Sequence, residues 1–526
     1  MQDVIAQGLA KGWDVHAAHT LADGSILEAD VVVIGTGAGG ATAAEFLSSA
    51  GHKVLLLEEG KLRYQKDFKM DELEAFSGLY QEGTGRKTSN GAIAIYQGRS
   101  VGGSTTVNWT SSFRTPTQTL NHWKTEHGLL GLSSEDLSPW FKNREQALNM
   151  SQWLVPPNAN NDVLRRGCEA LGYRSGVMTR NVNGCWNLGY CGYGCPTNAK
   201  QSMLVTSIPK ALDLGAQLVS GARAERFIFE NERAVALQCS VLDSDANLNT
   251  GRKLQLRAKH FVLAAGAIGS PGLLLRSEAP DPYSVLGKRT FLHPVNSSTA
   301  TMPESVHGYE GAPQSVYSDQ FLWRDGVAGK AGFKLEVAPV HPGSLAAQEA
   351  SYGQSLANRM RALPYTNSMI ALIRDGFHEE SQGGQVRLRD DGSPLLDYEI
   401  TDYLWEGLRE AYRAMAEIQF AAGAKEVSLV HHDAAPVKSW KAAQEQIQEL
   451  PMKALHAGLF SAHVMGGCGM GEDPKTSVVS SAGQHHQIEN LSVMDGSTFP
   501  TSIGANPQLS IYGLVAKQAS ALAARL

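Results

Sequence analysis

The stretch Ala29-Asp-Val-Val-Val-Ile-Gly-Thr-Gly-Ala-Gly-Gly40 starts with a short apolar run and ends in a glycine-rich turn. A continuous run of β-branched residues at 31–34 is typical of a strand that is covered on both faces in a parallel sheet. The glycines that follow match G-x-G-x-x-G, which allows a tight turn, a close approach to a pyrophosphate and close packing of a helix on the strand. The stretch therefore predicts the start of a dinucleotide-binding unit. The residues expected at the phosphates are Gly35, Gly37, Ala38, Gly39 and Gly40.

The next residues continue this unit. A helix from about Ala41 to Ala50 would point its N-terminal N–H groups at the phosphates, and Gly51 would end it. A second strand, Lys53 to Glu58, closes with an acid, and a carboxylate there can accept hydrogen bonds from ribose hydroxyls and would repel a 2′-phosphate. Taken alone, Glu58 could also be an ordinary charged side chain exposed at the end of a strand. The unit does not decide between a nicotinamide and a flavin dinucleotide.

Composition sets the outer limits. The chain has 526 residues, of which 42% are hydrophobic, so it can bury a large core in two or three domains. A net charge of −6 provides no electrostatic footprint for nucleic acid. No run approaches the roughly 18 apolar residues of a membrane span, and residues 1–28 show no secretory signal. We therefore expect a cytoplasmic globular protein without a nucleic-acid partner; peripheral attachment to a membrane and the oligomeric state remain open.

A second glycine-rich segment is Gly98-Arg-Ser-Val-Gly-Gly-Ser-Thr-Thr-Val-Asn-Trp109. Its glycines let the backbone come close to a flat ligand, and its short polar side chains offer hydrogen bonds. In isolation the segment would be interpreted as an ordinary surface turn. The residues expected to contact a dinucleotide here are Arg99, Gly102, Gly103, Ser104 and Asn108.

Two further segments have the same character. Phe261 to Ser277 is an apolar strand, a glycine turn and a helix, for which Ser270 is the expected N-cap. Near the C-terminus, Ser461-Ala-His-Val-Met-Gly-Gly-Cys-Gly-Met-Gly471 is followed by a strand from Leu491 that ends in Asp495-Gly496. A final helix is expected from Pro507 to about Ala524.

These four segments, in this order, resemble the glucose-methanol-choline (GMC) family of flavin-dependent oxidoreductases from about Ala29 to the C-terminus. The resemblance implies that the ligand is FAD, with its ADP half on the first segment and its flavin on Gly98 to Asn108. His463 matches the family's histidine, and Asn506-Pro507 matches its Asn-Pro. The further FAD-binding residues that the resemblance implies are Ala224, Ala265, Gly266, Asp495, Gly496, Asn506 and Pro507.

Within the family, the long-chain fatty alcohol oxidases and dehydrogenases are the most similar group. Ser461 to Gly471 follows their S-A-H-x-M-G-x-C-x-M-G pattern, and Cys191 to Ser202 resembles their cysteine-rich loop. Gly221 to Phe227 and Leu292 to Val295 also fit. Some family members bind FAD covalently through a histidine at the position of Val107, so a non-covalent FAD is expected here.

The implied reaction is oxidation of an apolar, primary alcohol by hydride transfer to flavin N5. A group must then accept the hydroxyl proton, and we assign this general-base role to His463. Asn506 would hold the substrate oxygen through its side-chain amide. The electron acceptor would be oxygen, or a quinone or cytochrome. The plainer alternatives are a loop histidine bonded to backbone, an N-cap asparagine and, at Asp495-Gly496, a simple turn.

Cysteines leave a second reaction class open. Cys185, Cys191 and Cys195 form C-x5-C-x3-C-P, a spacing that could ligate an iron–sulfur cluster and pass electrons to a cytochrome or quinone. Reduced structural thiols are the favoured interpretation, because only three cysteines are local and a reducing compartment disfavours a disulfide. A non-redox enzyme that retains FAD, like the family's hydroxynitrile lyases, is the other alternative. The cysteines expected to be buried small hydrophobes are Cys168, Cys239 and Cys468.

The predicted fold class is α/β, or α+β overall. A Rossmann-like FAD-binding domain with a parallel sheet (27–115, 200–300 and 458–526) would interleave with a substrate domain (116–199 and 301–457), after an N-terminal extension (1–26). The substrate domain would be an antiparallel sheet covered by helices, with strands near 334–338 and 368–373, a hairpin turning at Asp391-Gly392 and a helix near 403–422. Glu336 is expected to be a surface acid on its strand.

Overall fold

The computed structural model describes residues 3–348 and 351–526. Its strands are β1 Val15–Ala17, β2 Ser25–Ile34, β3 Val54–Glu58, β4 Ile93–Ile95, β5 Met150–Gln152, β6 Gly176–Val177, β7 Thr179–Asn181, β8 Gln217–Ser220, β9 Ala222–Glu230, β10 Arg233–Leu242, β11 Asn249–Leu263, β12 Lys288–Phe291, β13 Val295–Thr301, β14 Val316–Ser318, β15 Phe333–Val337, β16 Thr366–Ile373, β17 Gly384–Leu388, β18 Pro394–Asp397, β19 Glu426–Leu429, β20 Leu459–Ser461, β21 Met465–Gly466 and β22 Leu491–Val493. Its α-helices are α1 Val4–Ala10, α2 Ala38–Ser49, α3 Glu72–Leu79, α4 Thr117–Glu126, α5 Ser134–Ala147, α6 Ala159–Leu171, α7 Ser207–Asp213, α8 Gly266–Arg276, α9 Pro342–Gln348, α10 Gly353–Arg361, α11 Asp402–Ala421, α12 Trp440–Glu449 and α13 Gln508–Ala523.

The apolar run at 31–34 lies at the centre of the first sheet, whose strand order is β1-β8-β3-β2-β11-β10-β9. β22 also pairs with β11, and the pairs from β1 to β11 are parallel, whereas β11, β10 and β9 are antiparallel. Residues 31–34 are buried because helices such as α2 pack against the sheet. The Rossmann-like parallel sheet that the sequence predicts is confirmed. Because β1 pairs with β8, residues before position 27 also belong to this sheet.

The second sheet has the order β4-β20-β13-β16-β15-β14-β6, with β19 paired to β13. It is largely antiparallel, and α6 and α11 cover one face of it, which confirms the second part of the fold prediction. Directly opposite residues of antiparallel strands share a face. Lys334 therefore shares a face with Leu372, and Glu336 shares it with Ile370. Ile370 and Leu372 line the central cavity, so this face of the sheet adjoins the cavity.

Two expectations about local structure were wrong. Ser270 is not the N-cap of its helix, since α8 begins four residues earlier at Gly266, and the Ser270 hydroxyl bonds to Asp495 instead. Glu336 is not a surface acid but is fully buried. The hairpin formed by β17 and β18 does turn at Asp391-Gly392. Within the described residues, no helix combines the length and apolar character needed to cross a bilayer.

Candidate active site

A cavity of about 1120 Å³ lies against both sheets. One end is lined by the residues that follow β2 and β3, where ligands bind in open α/β sheets. The other end is lined by side chains of β13 and β16, in the antiparallel sheet. The two glycine-rich loops and the C-terminal segment around Asn506 meet along its length. The segments that the sequence analysis singled out therefore surround a single cavity.

The first glycine turn is packed too closely to accept side chains at two positions. Gly35 has φ +97°, and a Cβ there would lie 2.3 Å from the carbonyl oxygen of Ala264. A Cβ on Gly39 would lie 1.8 Å from the carbonyl oxygen of Met494. Gly37 differs, because its Cβ would meet only the Gly103 Cα at 3.9 Å. Gly37 is also the N-cap of α2 and supplies no capping side chain, so the first N–H groups of that helix are free to bind an anion.

Glu58 is held in place by the first turn. One of its oxygens accepts hydrogen bonds from the backbone N–H (3.1 Å) and hydroxyl (2.6 Å) of Thr36, and the other accepts from the Gly60 N–H at 2.9 Å. Burial raises the pKa of Glu58. The Thr36 hydroxyl in turn accepts the Gly102 N–H at 3.0 Å. Thr36, which sequence analysis overlooked as an unremarkable loop residue, thus joins the acid to the second glycine loop.

The second glycine loop is fixed by contacts from distant segments. Asn108 donates to the Gln508 side chain at 2.8 Å, and the Lys200 ammonium donates to the carbonyls of Thr106 and Asn108. The Ser104 hydroxyl accepts the Gly98 N–H at 2.9 Å. These bonds hold the loop in a defined shape along the cavity wall, as a binding surface for a rigid ring system requires.

Asp495 connects the C-terminal segment to α8. Its carboxylate accepts hydrogen bonds from the Gly266 N–H at 2.8 Å and the Ser270 hydroxyl at 2.6 Å. It also accepts the Ser497 N–H at 2.8 Å, so it caps a turn at the same time. A carboxylate at a helix N-terminus is favourable because the helix dipole is positive there. Burial nevertheless raises the pKa of Asp495.

His463 lies in the cavity wall, partly exposed to the cavity but removed from bulk water. Burial lowers its pKa to about 4, and the ammonium of Lys334 is the second cause. The imidazole is therefore neutral at pH 7. Its Nδ1 lies 3.4 Å from the Nδ1 of the fully buried His293, whose Nε2 accepts the Gly504 N–H at 3.1 Å. His463 uses its backbone N–H, not its ring, to bond to Ser461.

Asn506 is held by a buried acid. Its amide donates to Glu336 at 3.2 Å, and Gln314 donates to the same carboxylate oxygen. The other Glu336 oxygen and the Asn506 carbonyl oxygen have no hydrogen-bond partner among the described residues. Asn506 is not the N-cap of α13, since that position is Pro507 and no side chain caps the helix. Burial raises the pKa of Glu336, while Lys334 two residues away opposes the shift.

An apolar patch completes the cavity. It is a small hydrophobic cluster in which strand residues pack with two aromatic rings, and every member lines the cavity. Its members are Trp109, Val295, Ala338, Ile370, Leu372 and Phe460. Such a surface favours a hydrocarbon chain over a polar substrate, at about 25 cal/mol for each Å² of apolar area that is buried.

Most of the residues assigned from sequence meet at this cavity. Those that line it are Gly35, Gly37, Ala38, Gly39, Glu58, Gly103, Ser104, Asn108, Ala224, Ala265, Gly266, His463, Asp495, Gly496, Asn506 and Pro507. Gly40, Arg99 and Gly102 do not line it, and each has another role. Gly40 packs on the carbonyl of Gly35, Arg99 pairs with Glu59 at 3.0 Å, and Gly102 bonds to Thr36.

The three clustered cysteines do not form a metal site. Among residues 3–348 and 351–526, no group of three or more His, Cys, Asp or Glu side chains is arranged to hold a metal ion. Each sulfur has a separate local partner: Cys185 accepts the Asn187 N–H, Cys191 faces Arg180, and Cys195 accepts the Lys200 N–H. The iron–sulfur alternative is therefore not supported. Cys168, Cys239 and Cys468 are buried, as expected.

The glycine turn provides a first test. We expect Gly37→Ala to fold normally but to bind FAD at least about tenfold more weakly, because its methyl group would occupy space that a pyrophosphate needs. Gly39→Ala should instead lower the free energy of unfolding of the apoprotein, since its methyl group overlaps the Met494 carbonyl. Thermal unfolding without FAD and fluorescence titration with FAD separate the two effects. Equal behaviour of the two variants would contradict this assignment.

A second test concerns a buried histidine outside the cavity. Burial lowers the pKa of His260 to about 4, whereas an unfolded histidine titrates near 6.5. The unfolded state therefore binds this proton first, and the stability contribution is present above about pH 6.5 and lost as pH falls toward 4. We expect His260→Gln to lose stability less steeply than the parent between pH 7 and 5, by up to about 1.4 kcal/mol per pH unit. Urea unfolding at several pH values measures both slopes, and identical slopes would refute the prediction.

Comparison with known proteins identifies the family. Models described as GMC oxidoreductase match residues 76–295 and 380–514, and a model of an NAD(P)-binding Rossmann-like domain matches residues 33–61. A GMC-type oxidoreductase of Mycobacterium tuberculosis is 31% identical over 93% of this chain and 75% of its own length. The chain belongs to the GMC oxidoreductase family. This GMC oxidoreductase is thus a flavoprotein that acts on CH–OH groups, as the family resemblance implied.

Relatives of this GMC oxidoreductase include plant enzymes. The Arabidopsis thaliana long-chain-alcohol oxidase FAO4B is 30% identical over 92% of this chain, which spans 66% of the plant protein. Solved structures share the fold at low identity. The pyridoxine 4-oxidase structure has a TM-score of 0.66 at 17% identity, covering 93% of this chain and 98% of its own. Formate oxidase from Aspergillus oryzae has a TM-score of 0.70 at 14% identity, with coverages of 96% and 99%.

Proposed function

We propose that this GMC oxidoreductase oxidises long-chain, primary alcohols to aldehydes, with non-covalently bound FAD and with oxygen as the electron acceptor. The observation that carries the substrate class is the apolar patch, which lies in the same cavity as the neutral His463 imidazole. The plant relatives that match 92% of this chain are named long-chain-alcohol oxidases, which supports the same substrate and acceptor.

The residues present fit FAD. The glycine cradle at Gly35 and Gly39 leaves no room for side chains, and α2 presents unpaired N–H groups for the pyrophosphate. Glu58 is fixed at the end of β3, where it can accept from a ribose hydroxyl. Val107 offers no atom that could form a covalent bond to the flavin, which supports dissociable binding. When bound, FAD supplies a two-electron acceptor at N5 of its isoalloxazine.

Side chains of the protein are assigned the remaining roles, which are proton acceptance, orientation of the substrate and binding of its hydrocarbon chain. His463 is neutral at pH 7, so one ring nitrogen has a lone pair that can take the hydroxyl proton of the substrate. Asn506 would donate to the substrate oxygen, and Glu336 fixes its amide by accepting one of its protons. Holding the carbinol in this way favours reaction by orientation. The apolar patch would bind the hydrocarbon chain and exclude water.

Anaerobic addition of alcohols to the FAD-loaded enzyme tests this proposal. We expect hexadecanol and dodecanol to bleach the flavin absorbance band, ethanol and glucose to act far more weakly, and admission of oxygen to restore the band. The apolar surface accounts for the order, because each buried CH₂ contributes about 0.8 kcal/mol of binding. Product formation with an unchanged flavin band would contradict oxidation and indicate a non-redox enzyme. Restoration of the band by a quinone but not by oxygen would contradict the proposed acceptor.

A further inference from the structure

Two buried cations lie beside the cysteine loop, residues 185–200, without an acidic partner. Arg180 is fully buried and donates to the Thr110 hydroxyl at 2.8 Å and to the Cys191 sulfur at 3.7 Å. Its Nη1 has no hydrogen-bond partner. Its guanidinium also lies 4.8 Å from the centre of the Trp153 ring. No carboxylate of residues 3–348 or 351–526 pairs with this arginine.

The second cation is Lys200. Its ammonium donates to three carbonyl oxygens, those of Thr106 at 2.8 Å, Asn108 at 2.7 Å and Cys191 at 2.6 Å. It is buried, and burial lowers its pKa to about 8, while the neighbouring cysteines oppose this shift. The described part of the chain places no carboxylate within ion-pair distance of it either. A buried charge is costly unless a charge of opposite sign compensates it.

The groups placed to supply that negative charge are cysteine sulfurs. Cys191 faces Arg180, and the Cys195 sulfur lies 3.5 Å from the backbone nitrogen of Lys200 and 3.5 Å from the Thr197 hydroxyl. Burial alone would raise the pKa of Cys195, but these bonds and the Lys200 charge outweigh it and lower the pKa. Cys185 is on the same loop and is also half-buried, yet burial raises its pKa. The loop thus contains two cysteines that lie beside cations and a third, Cys185, with which their reactivity can be compared.

We propose that the Cys195 thiolate and Cys191 on the same loop form a thiolate site that hydroperoxides oxidise and soft alkylating agents modify, and that this site acts on the second glycine loop through Lys200. In the oxidation, the sulfur attacks one peroxide oxygen, so that an S–O bond forms as the O–O bond breaks. The leaving hydroxide, or the alkoxide in the case of an organic hydroperoxide, takes a proton from solvent. The sulfur loses two electrons and becomes a neutral sulfenic acid, Cys–SOH, and the peroxide is reduced.

Lys200 provides the connection to the flavin side of the cavity. Its ammonium bridges the carbonyl of Cys191 and those of Thr106 and Asn108, so the cysteine loop and the second glycine loop share one cation. Gly192 and Tyr193, which follow Cys191, line the cavity themselves. Oxidation of the Cys195 thiolate to a neutral sulfenic acid removes a negative charge next to Lys200, and that change reaches the loop against which the flavin is proposed to lie.

Alkylation tests the thiolate site directly. The FAD-loaded enzyme is treated with iodoacetamide at pH 7, and modification of each cysteine is followed by peptide mass spectrometry. We expect Cys191 and Cys195 to react at least about tenfold faster than Cys185, because each of the two sulfurs lies beside a buried cation that stabilises negative charge on it. Arg180→Gln should slow the alkylation of Cys191 about tenfold, because it removes the guanidinium 3.7 Å from the sulfur, and Arg180→Lys should restore the rate. Equal rates for the three cysteines in the parent enzyme would overturn the proposal without any variant.

Hydrogen peroxide tests the oxidation and its effect. We expect a sulfenic acid on Cys191 or Cys195, trapped with dimedone, together with a fall in flavin binding that dithiothreitol reverses. Cys185→Ser should keep this response, and the double variant Cys191→Ser/Cys195→Ser should lose it. The proposal would be overturned if oxidation mapped to Cys185, or if peroxide weakened FAD binding in the double variant as much as in the parent enzyme. Mass mapping and FAD binding do not depend on the alcohol substrate, so failure of the proposed oxidation reaction is distinguishable.

Discussion

Replacing His463 with alanine should slow flavin reduction by an alcohol at least about 100-fold, the scale of a lost general base. The imidazole is neutral at pH 7, because burial lowers its pKa to about 4, and it lies in the wall of the cavity that the apolar patch lines. The alanine variant lacks the ring nitrogen to which we assign the hydroxyl proton. Anaerobic stopped-flow mixing with a saturating alcohol measures the rate of flavin reduction separately from reoxidation by oxygen.

His485→Asn is the matched control for this experiment. His485 is buried like His463 and has its pKa lowered to about 4 by burial, but it does not line the cavity. Its Nδ1 accepts the Gln487 N–H at 3.1 Å, and an asparagine oxygen can take over that bond. We expect the control to reduce its flavin at the parental rate. A His463→Ala enzyme that does the same would remove this histidine from the mechanism.

The second large effect is expected at Glu336. Replacement by leucine removes the oxygen that accepts the amide protons of Asn506 and Gln314, so the Asn506 amide loses its fixed orientation. Misplacement of a substrate-holding group by about 1 Å can cost about 100-fold in rate. We therefore expect flavin reduction to slow by about 10- to 100-fold in Glu336→Leu at a saturating alcohol concentration. The same anaerobic mixing experiment measures it.

Glu336→Gln separates orientation from charge. A glutamine oxygen can still accept from the Asn506 amide, although it carries no charge to accompany Lys334. We expect this variant to retain most of the rate of flavin reduction while its pH dependence shifts, because the electrostatic environment of His463 changes with Lys334. If the leucine variant reduces its flavin as fast as the parent, then Glu336 does not position Asn506.

Local sequence was sufficient to predict the dinucleotide-binding unit. The apolar run at 31–34 has the pattern of a strand that is covered on both faces, and the structure buries it in this way. Gly35 and Gly39 are required because the carbonyls of Ala264 and Met494 approach them too closely for a side chain. His463 and Asn506 could be assigned only through the family resemblance, because a histidine in a loop and an asparagine before proline have common structural uses. The geometry places both in one cavity.

The buried charges could not be predicted from sequence. Lys334 and Glu336 alternate with apolar residues, a pattern that ordinarily indicates a strand with one exposed face. Here that second face is covered, because Lys334 lies over the Phe113 and Tyr317 rings and Glu336 bonds to Asn506 and Gln314. Thr36 and Gln314 were missed for a related reason, since their roles depend on partners 22 residues away in the chain. Long-range pairing of this kind leaves no local signal.

The central claim is that FAD lies in this cavity with its reactive nitrogen next to His463. A crystal structure of the protein with FAD bound tests it most directly. We expect the pyrophosphate at the N-terminus of α2, the isoalloxazine against Ser104 to Asn108, and N5 facing the His463 imidazole and the Asn506 amide. A cofactor bound elsewhere, or an imidazole turned away and remote from the flavin ring, would contradict the account.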